Sequence, residues 1–331
     1  MNKEQIHEII KATAYVDKDI ISPEPIITIQ GKAIAHPGNV ITINGLPKSR
    51  KTTFQSFFIA SALSGAEIFD IKVNLKADEK IILIDTEQSI HDFSRQIKTL
   101  KKIIRSQDLP ANFTAHLFRQ YEPDIILNSI YELVNLERPK ILFIDNLTEL
   151  VIDFNNVQES KKVIQFLKKI TAEFNLVVVC LLHLGKGNLQ TLGNLGSMAD
   201  RMAQSTIKIV LDKDTGASTM EAGFMRSDSH FNPVAVYWND EAKEYQKTEG
   251  GTTKPKSRKF ILMELTDTDH KNRLNIIFKD SKELIYSELV EEIKKLYGVG
   301  TNIAKQQIIP YLAGNEFIKS TKGIYSINPK K

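Results

Sequence analysis

The sequence predicts an α/β protein with a large domain on a mainly parallel sheet and a small C-terminal α+β domain. Apolar runs typical of strands buried on both faces alternate with amphipathic helical segments through residues 38–240. The chain of 331 residues exceeds the roughly 250–300 residues at which a single core stops growing. Hydrophobic residues make up 42% of the chain and charged residues 25%, which excludes a mainly disordered protein.

Apolar runs and cysteine content predict the compartment. The longest apolar run, Leu176–Leu182, is far shorter than the roughly 20 residues that a membrane-spanning helix needs. The single cysteine, Cys180, lies in this run and is expected to be a small buried side chain without a disulfide. The first residues, Met1–Gln5, lack the apolar segment of a signal peptide. We therefore expect a soluble protein of the cytoplasm.

Four segments are expected along the chain. Residues 1–37 form a lead-in segment with a short amphipathic stretch and three prolines, suited to packing against a neighbouring subunit. Residues 38–240 form the core, residues 241–262 a basic flexible linker, and residues 263–331 the small domain. In the core, strands are predicted over Val40–Ile43, Lys80–Ile84, Lys140–Ile144, Leu176–Leu182 and Ile207–Leu211, and helices over Thr52–Leu63 and Gln158–Phe174.

The predicted linker accounts for the net charge of the chain. Six basic and two acidic residues lie between Lys243 and Lys259, so this stretch carries the whole net charge of +4. A flexible basic tether can bind a phosphate backbone, and a solvated spacer is the alternative interpretation.

The small domain has the outline of a winged helix. Helical periodicity over Asp267–Phe278 and Ile285–Tyr297 is followed by a third helix over Thr301–Leu312 and by a hairpin over Phe317–Ile327. Helices followed by a hairpin within about 50 residues are typical of winged helices, which are relatives of the helix-turn-helix.

The strongest signal for a functional site is a candidate phosphate-binding loop, Gly45–Thr52, which follows the strand Val40–Ile43. Backbone N–H groups of such a loop bind phosphates, the Lys51 ammonium reaches the β and γ phosphates, and the Thr52 hydroxyl can ligate Mg²⁺. Arg50 stands where the pattern G-x-x-x-x-G-K-[ST] has its second glycine, which is unfavourable if the backbone requires a positive φ. A basic turn is the alternative interpretation. The candidate loop comprises Gly45, Leu46, Pro47, Lys48, Ser49, Arg50, Lys51 and Thr52, with Thr53 following.

Carboxylates follow two of the apolar strands. Asp85 and Glu87 come after Ile81–Ile84, and Asp145 comes after Ile141–Ile144. Because the carboxyl ends of parallel strands face the ligand crevice of an open α/β sheet, Glu87 is a candidate to orient or deprotonate a water molecule. Asp145 is a candidate to hold Mg²⁺ through water. A helix N-cap around Asp85 or Thr86 is the alternative interpretation of this strand end, and it accounts for Glu87 less well.

A polar residue also ends the strand Val177–Leu182. His183 follows this strand and precedes a glycine-rich loop that continues to Gly196. A polar group at this position can sense a γ-phosphate and transmit its presence to the loop. A purely structural histidine is the alternative.

Together these residues resemble the RecA-like branch of the P-loop NTPases, especially ATPases related to RepA and the DnaB-type hexameric helicases of plasmids, phages and mobile elements. The resemblance covers residues 38–240. It implies ATP and Mg²⁺ as ligands and Glu87 as the general base. His183 falls at the strand end where relatives place a phosphate sensor, often a glutamine.

The resemblance also implies an arginine finger, for which Arg226 after Met220–Met225 is the candidate. Relatives often have a lysine two residues earlier, where this chain has Phe224. A surface arginine is the alternative role. A finger that completes the site of the next subunit implies a homo-oligomeric ring, and a hexamer is expected in this branch.

DNA is the partner that the resemblance implies. In this branch, the loops after the strands that lead to Asp145 and to His183 contact single-stranded DNA. The matching positions are Asn155 and Asn156 in the first loop, and Lys186 and Asn188 in the second. These positions are poorly basic, and the second loop has no interleaved aromatic residue for base stacking. In the small domain, a protein–protein module is the alternative to duplex binding. The candidate contacts there are Lys305, Gln306, Gln307, Lys319 and Lys322.

The sequence thus predicts an ATP-hydrolysing, DNA-associated motor, a ring-forming helicase-like ATPase in replication or mobilisation of a genetic element. One alternative is a recombination-mediator or switch ATPase without unwinding. Another is a winged-helix DNA-binding regulator with a degraded nucleotide site, which Arg50 would permit. The presence of Lys51, Thr52, Glu87 and Asp145 argues against degradation.

Overall fold

A computed structural model describes residues 3–13, 23–185, 191–248, 265–279, 281–297, 299, 301–321 and 323–328. The chain divides into two compact units, residues 1–251 and 252–331. Across the described ranges, every helix is too short or too polar to cross a membrane.

Strands and helices alternate in the first unit. The strands are β1 (Ile27–Ile29), β2 (Lys32–Ala35), β3 (Val40–Gly45), β4 (Ile71–Val73), β5 (Ile81–Asp85), β6 (Phe113–Leu117), β7 (Ile141–Asp145), β8 (Val177–His183), β9 (Ser205–Leu211), β10 (Ser218–Met225), β11 (Val234–Asn239) and β12 (Glu244–Lys247). The helices are α1 (Lys3–Ala12), α2 (Lys51–Ser64), α3 (Ile90–Ile103), α4 (Pro123–Glu137), α5 (Val157–Phe174) and α6 (Gly193–Met202), with a 3-10 turn at Leu147–Leu150.

The central sheet has nine strands in the order β12-β11-β10-β9-β3-β8-β7-β5-β6. The six strands from β9 to β6 are parallel, and β10, β11 and β12 extend the sheet in antiparallel fashion. Each strand predicted in the core is present within one or two residues of its predicted ends. The α/β class with a mainly parallel sheet is therefore confirmed.

Alternate residues of the central strands enter two apolar layers, one on each face of the sheet. In β7, Ile141 and Phe143 join a cluster with the phenylalanines of α2, whereas Leu142 and Ile144 join a cluster with α4 and α5. Cys180 lies in the second cluster, and burial raises the pKa of its thiol. This matches the prediction of a small buried side chain at position 180.

Two predicted segment boundaries differ from the structure. Strands β1 and β2, from the predicted lead-in segment, form a three-stranded antiparallel sheet with β4. Strand β12 lies inside the predicted linker, yet it pairs with β11, and Tyr245 packs against the ring of Phe57. Charged residues at Glu244–Lys247 suggested a linker, but charge is also typical of edge strands. The later part of that linker lies outside the described residues.

The second unit is a small α+β unit, as predicted. Its strands form a sheet in the order β13-β15-β14 over an apolar core that includes Leu289, Ile293 and Leu312. A π-helical stretch, Ala304–Ile308, joins the third and fourth helical segments. The elements are α7 (Asp267–Ile277), β13 (Leu284–Ile285), α8 (Tyr286–Tyr297), α9 (Thr301–Ile303), α10 (Ile309–Gly314), β14 (Ile318–Thr321) and β15 (Ile324–Ile327).

Candidate functional site

The loop Gly45–Thr52 runs from the last residue of β3 into the first turn of α2. A Cβ atom at Gly45 would lie 2.8 Å from the carbonyl oxygen of Ile209, so only glycine fits there. The first turn of α2 has no acidic residue and no side-chain cap, which leaves its N–H groups available to an anion. The Ser49 hydroxyl is buried without a hydrogen-bond partner among the described residues. These features fit a phosphate ligand.

Arg50 has φ 74° and ψ 28°, the left-handed conformation that the second glycine of such a loop would supply. This conformation costs a non-glycine residue roughly 1–2 kcal/mol. The Arg50 guanidinium donates a 2.7 Å hydrogen bond to the carbonyl of Gly216, in the turn between β9 and β10. The position thus does require a positive φ, and arginine adopts it without disrupting the start of α2.

Lys51 is buried at the start of α2. Its Nζ donates to the carbonyls of Gly45 at 3.0 Å and Leu46 at 3.2 Å, and lies 3.0 Å from Nδ1 of His183. Burial lowers the pKa of Lys51 to about 8, although the nearby carboxylates of Asp145 and Glu87 oppose this effect. The ammonium is therefore enclosed by two carbonyls of its own loop and by the His183 ring.

Thr52 and Asp145 form the candidate metal site. The Thr52 hydroxyl donates a 2.7 Å hydrogen bond to Oδ2 of Asp145. Burial raises the pKa of Asp145 to about 7, helped by the charges of Asp85 and Glu87 and opposed by Thr52 and Lys51. A bound cation would favour the ionised form of the Asp145 carboxylate. Within the described ranges no group of three or more His, Cys, Asp or Glu side chains could hold a metal, and Mg²⁺ bound with nucleotide phosphates needs only one or two protein oxygens.

Asp85 and Glu87 take different roles at the end of β5. The Asp85 carboxylate accepts hydrogen bonds from the backbone N–H groups of Glu87 at 3.0 Å and Gln88 at 2.8 Å, so it holds the turn that leads to α3. The N-cap of α3 is Ser89 rather than Asp85. Glu87 is directed away from this turn, and 51% of its side chain is exposed. Its carboxylate is therefore accessible to water.

His183 bridges Lys51 and Glu87. Its Nε2 lies 3.3 Å from Oε2 of Glu87, and its Nδ1 faces the Lys51 ammonium. Because an ammonium can only donate, Nδ1 accepts from Lys51 and Nε2–H donates to the carboxylate. This hydrogen bond is the main cause that lowers the pKa of Glu87 below its ordinary value. The candidate sensor thus links the candidate phosphate-binding lysine to the candidate base.

Arg226 lies near the amino ends of the parallel strands, opposite to the ends that carry the candidate site. In β9, Ser205 pairs with Met225 of β10 and with Ile41 at the start of β3, whereas Ile209 pairs with Gly45. The exposed Arg226 guanidinium donates to the carbonyl of Arg201, 3.0 Å away, and stands 5.8 Å from the Phe224 ring. Arg226 is therefore not brought into the site of its own chain, and its role as a finger stays a prediction.

The loop after β8 is anchored at its base to β3. The Thr191 hydroxyl donates to Oδ2 of Asp200 at 2.9 Å, while Oδ1 accepts from Thr42 at 2.9 Å and Asn44 at 2.8 Å. Of the predicted DNA contacts in the core, Lys186 and Asn188 lie outside the described residues. The carbonyl of Asn155 accepts a hydrogen bond from the Asn194 side chain, which connects the other predicted loop to α6.

Sequence reasoning missed a cavity of about 570 Å³ beside the loop, between α2 and α3. Thr52, Thr53 and Glu87 line one part of it. No sequence motif marks the other residues of the cavity. Arg119, however, follows the end of β6, and in this it resembles the predicted site residues, which also follow strand ends. The further lining residues include Ser56, Gln88, Asp92, Arg95, Gln96, Thr99, Arg119 and Tyr245.

Many solved structures are similar to this chain. No family model matches the chain. No curated protein matches it either. Among solved structures, a KaiC-like protein from the hyperthermophilic archaeon Pyrococcus horikoshii OT3 is similar over 70% of this chain and 99% of its own, with 17% sequence identity and a TM-score of 0.47.

Proposed function

We propose that this chain is a P-loop ATPase that binds ATP with Mg²⁺ at the carboxyl ends of the parallel strands and hydrolyses it. The observation that carries the proposal is the convergence of five predicted side chains in two hydrogen-bonded groups. Thr52 contacts Asp145, and His183 joins Lys51 to Glu87. These residues come from four separate segments of the chain, and their chemistry is that of phosphoryl transfer.

The phosphate loop supports nucleotide binding. The uncapped N terminus of α2, the unpartnered Ser49 hydroxyl and the Lys51 ammonium supply donors for the phosphate oxygens. On binding, Lys51 exchanges loop carbonyls and His183 for a charged phosphate. The adjoining cavity of about 570 Å³ is within the usual size of small-ligand sites and is suited to the nucleoside.

Thr52 and Asp145 would hold the metal. Their oxygens are the donor type that Mg²⁺ prefers. When bound, Mg²⁺ supplies neutralisation of the phosphate charge, and it favours the ionised form of Asp145.

Glu87 is proposed as the general base. Its lowered pKa keeps the carboxylate ionised at neutral pH. As the oxygen of a water molecule bonds to the γ phosphorus, Glu87 takes the proton, and the bond from that phosphorus to the bridging oxygen breaks. ADP and inorganic phosphate are the products. His183, which contacts both Lys51 and Glu87, is placed to register whether the γ phosphate is present.

We further propose that the enzyme works as a ring, with Arg226 completing the site of the next subunit. The position of Arg226 near the amino ends of the strands supports this arrangement, because its exposed guanidinium lies at the other end of β3 from its own phosphate loop. A cation supplied by a neighbour stabilises charge on the transferring phosphoryl group. A homohexamer is the assembly we propose.

DNA is the proposed partner of the second unit. Its order of helices, strands and hairpin supports a winged helix. Lys305, Gln306 and Gln307 are exposed on the π-helical stretch, and Lys319 is exposed on β14. π-Helical stretches are frequent at functional sites. Lys322, the other predicted contact, lies outside the described residues.

ATP hydrolysis with and without single-stranded DNA, followed by unwinding of a forked duplex, tests these proposals. Wild type is expected to hydrolyse ATP faster with DNA and to separate the fork, and Lys51→Ala to do neither. Lys168→Ala, an exposed lysine on α5, serves as the matched control. DNA-stimulated hydrolysis without unwinding would favour the mediator or switch ATPase. DNA binding without hydrolysis would favour the regulator.

A further inference from the structure

The residue after Asp145 is held between two strand ends. Asn146 is only 1% exposed, and its backbone N–H donates to the Thr86 hydroxyl at 3.0 Å. That hydroxyl donates in turn to the Asn146 carbonyl at 3.0 Å, and the Thr86 N–H donates to the Asp145 carbonyl at 2.7 Å. The ends of β5 and β7 are therefore joined by three hydrogen bonds, which fix the position of Asn146 relative to Glu87.

The orientation of the Asn146 side chain follows from its partners. Its Oδ1 accepts a 3.2 Å hydrogen bond from the backbone N–H of Thr148, in the 3-10 turn. Because that N–H can only donate, the amide oxygen must face Thr148 and the amide nitrogen must face the other way. Nδ2 then donates to Oε2 of Glu87 at 3.4 Å.

Two donors thus meet one oxygen of the Glu87 carboxylate. Oε2 faces both His183 Nε2 and Asn146 Nδ2, whereas Oε1 has no hydrogen-bond partner in the part of the chain that the structure describes. Donors on one oxygen restrict rotation of the carboxylate and leave the other oxygen to accept a proton. We propose that Asn146 is a positioning residue, which with His183 orients Glu87 so that Oε1 faces the attacking water. This inference rests on the proposed ATPase function.

Several charged groups surround Glu87 and bear on its titration. The hydrogen bond from Asn146 lowers the pKa of Glu87, as does the stronger one from His183. Loss of the Asn146 donor should therefore move the acidic limb of the kcat profile to higher pH. The other titratable groups that interact with Glu87 are Lys51 on α2, Asp85 on β5, Asp145 on β7, Glu149 on the 3-10 turn and His183 on β8.

Two variants and one control test the proposal. Asn146→Ala removes the donor. Asn146→Asp keeps an acceptor for Thr148 and nearly the same shape, but it replaces the donor with a charged acceptor. Asn135→Asp on α4 adds the same charge on the surface, where an acceptor for Arg138 is retained. We expect kcat to fall about tenfold in both Asn146 variants with KM for ATP little changed, and Asn135→Asp to match wild type. The acidic limb should move further for Asn146→Asp than for Asn146→Ala.

A double-mutant cycle with Glu87→Gln separates positioning from a merely structural role. If Asn146 acts through Glu87, Asn146→Ala should lower kcat less than about twofold when Glu87 is already Gln. The positioning proposal would be overturned if Asn146→Ala lowered kcat equally in both backgrounds, or if the acidic limb of the kcat profile did not move. The ATPase proposal would still hold in that case, because it requires only that wild type hydrolyses ATP and that Lys51→Ala does not. If wild type does not hydrolyse ATP, both proposals fail. Thermal unfolding of each variant identifies any loss that comes from misfolding.

Discussion

The two ends of the parallel strands differ in what they hold. At the carboxyl ends, Lys51, Glu87 and His183 are within hydrogen-bond distance of one another, and Thr52 contacts Asp145. At the amino ends, Arg226 is exposed, and its guanidinium contacts Arg201 of α6 and the ring of Phe224 of β10. One chain therefore brings together the lysine, the candidate metal site and the candidate base, but Arg226 does not reach them. The difference suggests which steps a single chain performs and which need a neighbour.

Removal of Arg226 should give the largest effect of the variants that follow. Arg226→Ala is expected to lower kcat by about 10³-fold without changing ATP affinity, because the residue lies outside its own site. A mixture of Arg226→Ala with Lys51→Ala chains should recover part of the turnover, since the Lys51→Ala subunits supply the missing arginine. Hydrolysis and nucleotide binding are measured on the mixed and separate proteins. Normal turnover by Arg226→Ala alone would show that the arginine is a surface residue.

Glu87→Gln should follow in size. The amide cannot take a proton from water, so kcat should fall by about 10²-fold while ATP still binds. Steady-state hydrolysis and titration with a fluorescent ATP analogue measure the two quantities. Asp92→Asn, which changes another carboxylate lining the same cavity, is the comparison variant and should lose far less turnover. Equal losses in the two variants would indicate that the cavity, rather than the base, is affected.

The pH dependence of ATP binding should be moderate. The pKa of Lys51 is lowered to about 8 by burial, and its protonated form binds phosphate. ATP affinity should thus be highest below pH 8 and fall as the pH rises through 8, by at most about tenfold per pH unit. Lys51→Arg should bind with little dependence on pH over this range, because arginine remains charged. An equally steep decline in Lys51→Arg would assign the titration to another group.

Arg50 should give the smallest effect, on stability. Arg50→Ala loses the hydrogen bond to Gly216 and keeps the left-handed strain, whereas Arg50→Gly loses both. Urea unfolding should therefore find Arg50→Gly more stable than Arg50→Ala by about 1 kcal/mol. Arg105 has φ 52°, which is also left-handed. The change in the free energy of unfolding caused by Arg105→Gly therefore measures the effect of relieving backbone strain. Equal stabilities of the two Arg50 variants would indicate that the backbone at this position is not strained.

The fold and much of the candidate site were accessible from the sequence because strands buried on both faces appear as unbroken apolar runs. A polar residue at the end of such a run is expected at the ligand crevice, and Glu87, Asp145 and His183 were predicted in this way. The contact of Asn146 with Glu87 depends on strand order, which apolar periodicity does not encode. Likewise, the partner of Arg50 lies 166 residues away, so no local pattern could identify it.

The second unit shows the same division between local and long-range information. Its helices and hairpin were predicted within a few residues, because they follow local periodicity and the turn at Gly323, which has φ 84°. The π-helical stretch was not predicted, since it depends on how Ala304 and Ile308 pack into the core. Strand β12 was missed because its charged residues resemble a linker when its pairing with β11 is unknown.

The release of phosphate from ATP by purified wild type, Lys51→Ala and Lys168→Ala is the most direct test of the ATPase site. We expect Mg²⁺-dependent turnover by wild type and Lys168→Ala, and loss of both ATP binding and turnover in Lys51→Ala. Turnover by Lys51→Ala at the wild-type rate, or no turnover by any of the three proteins, would contradict the ATPase proposal.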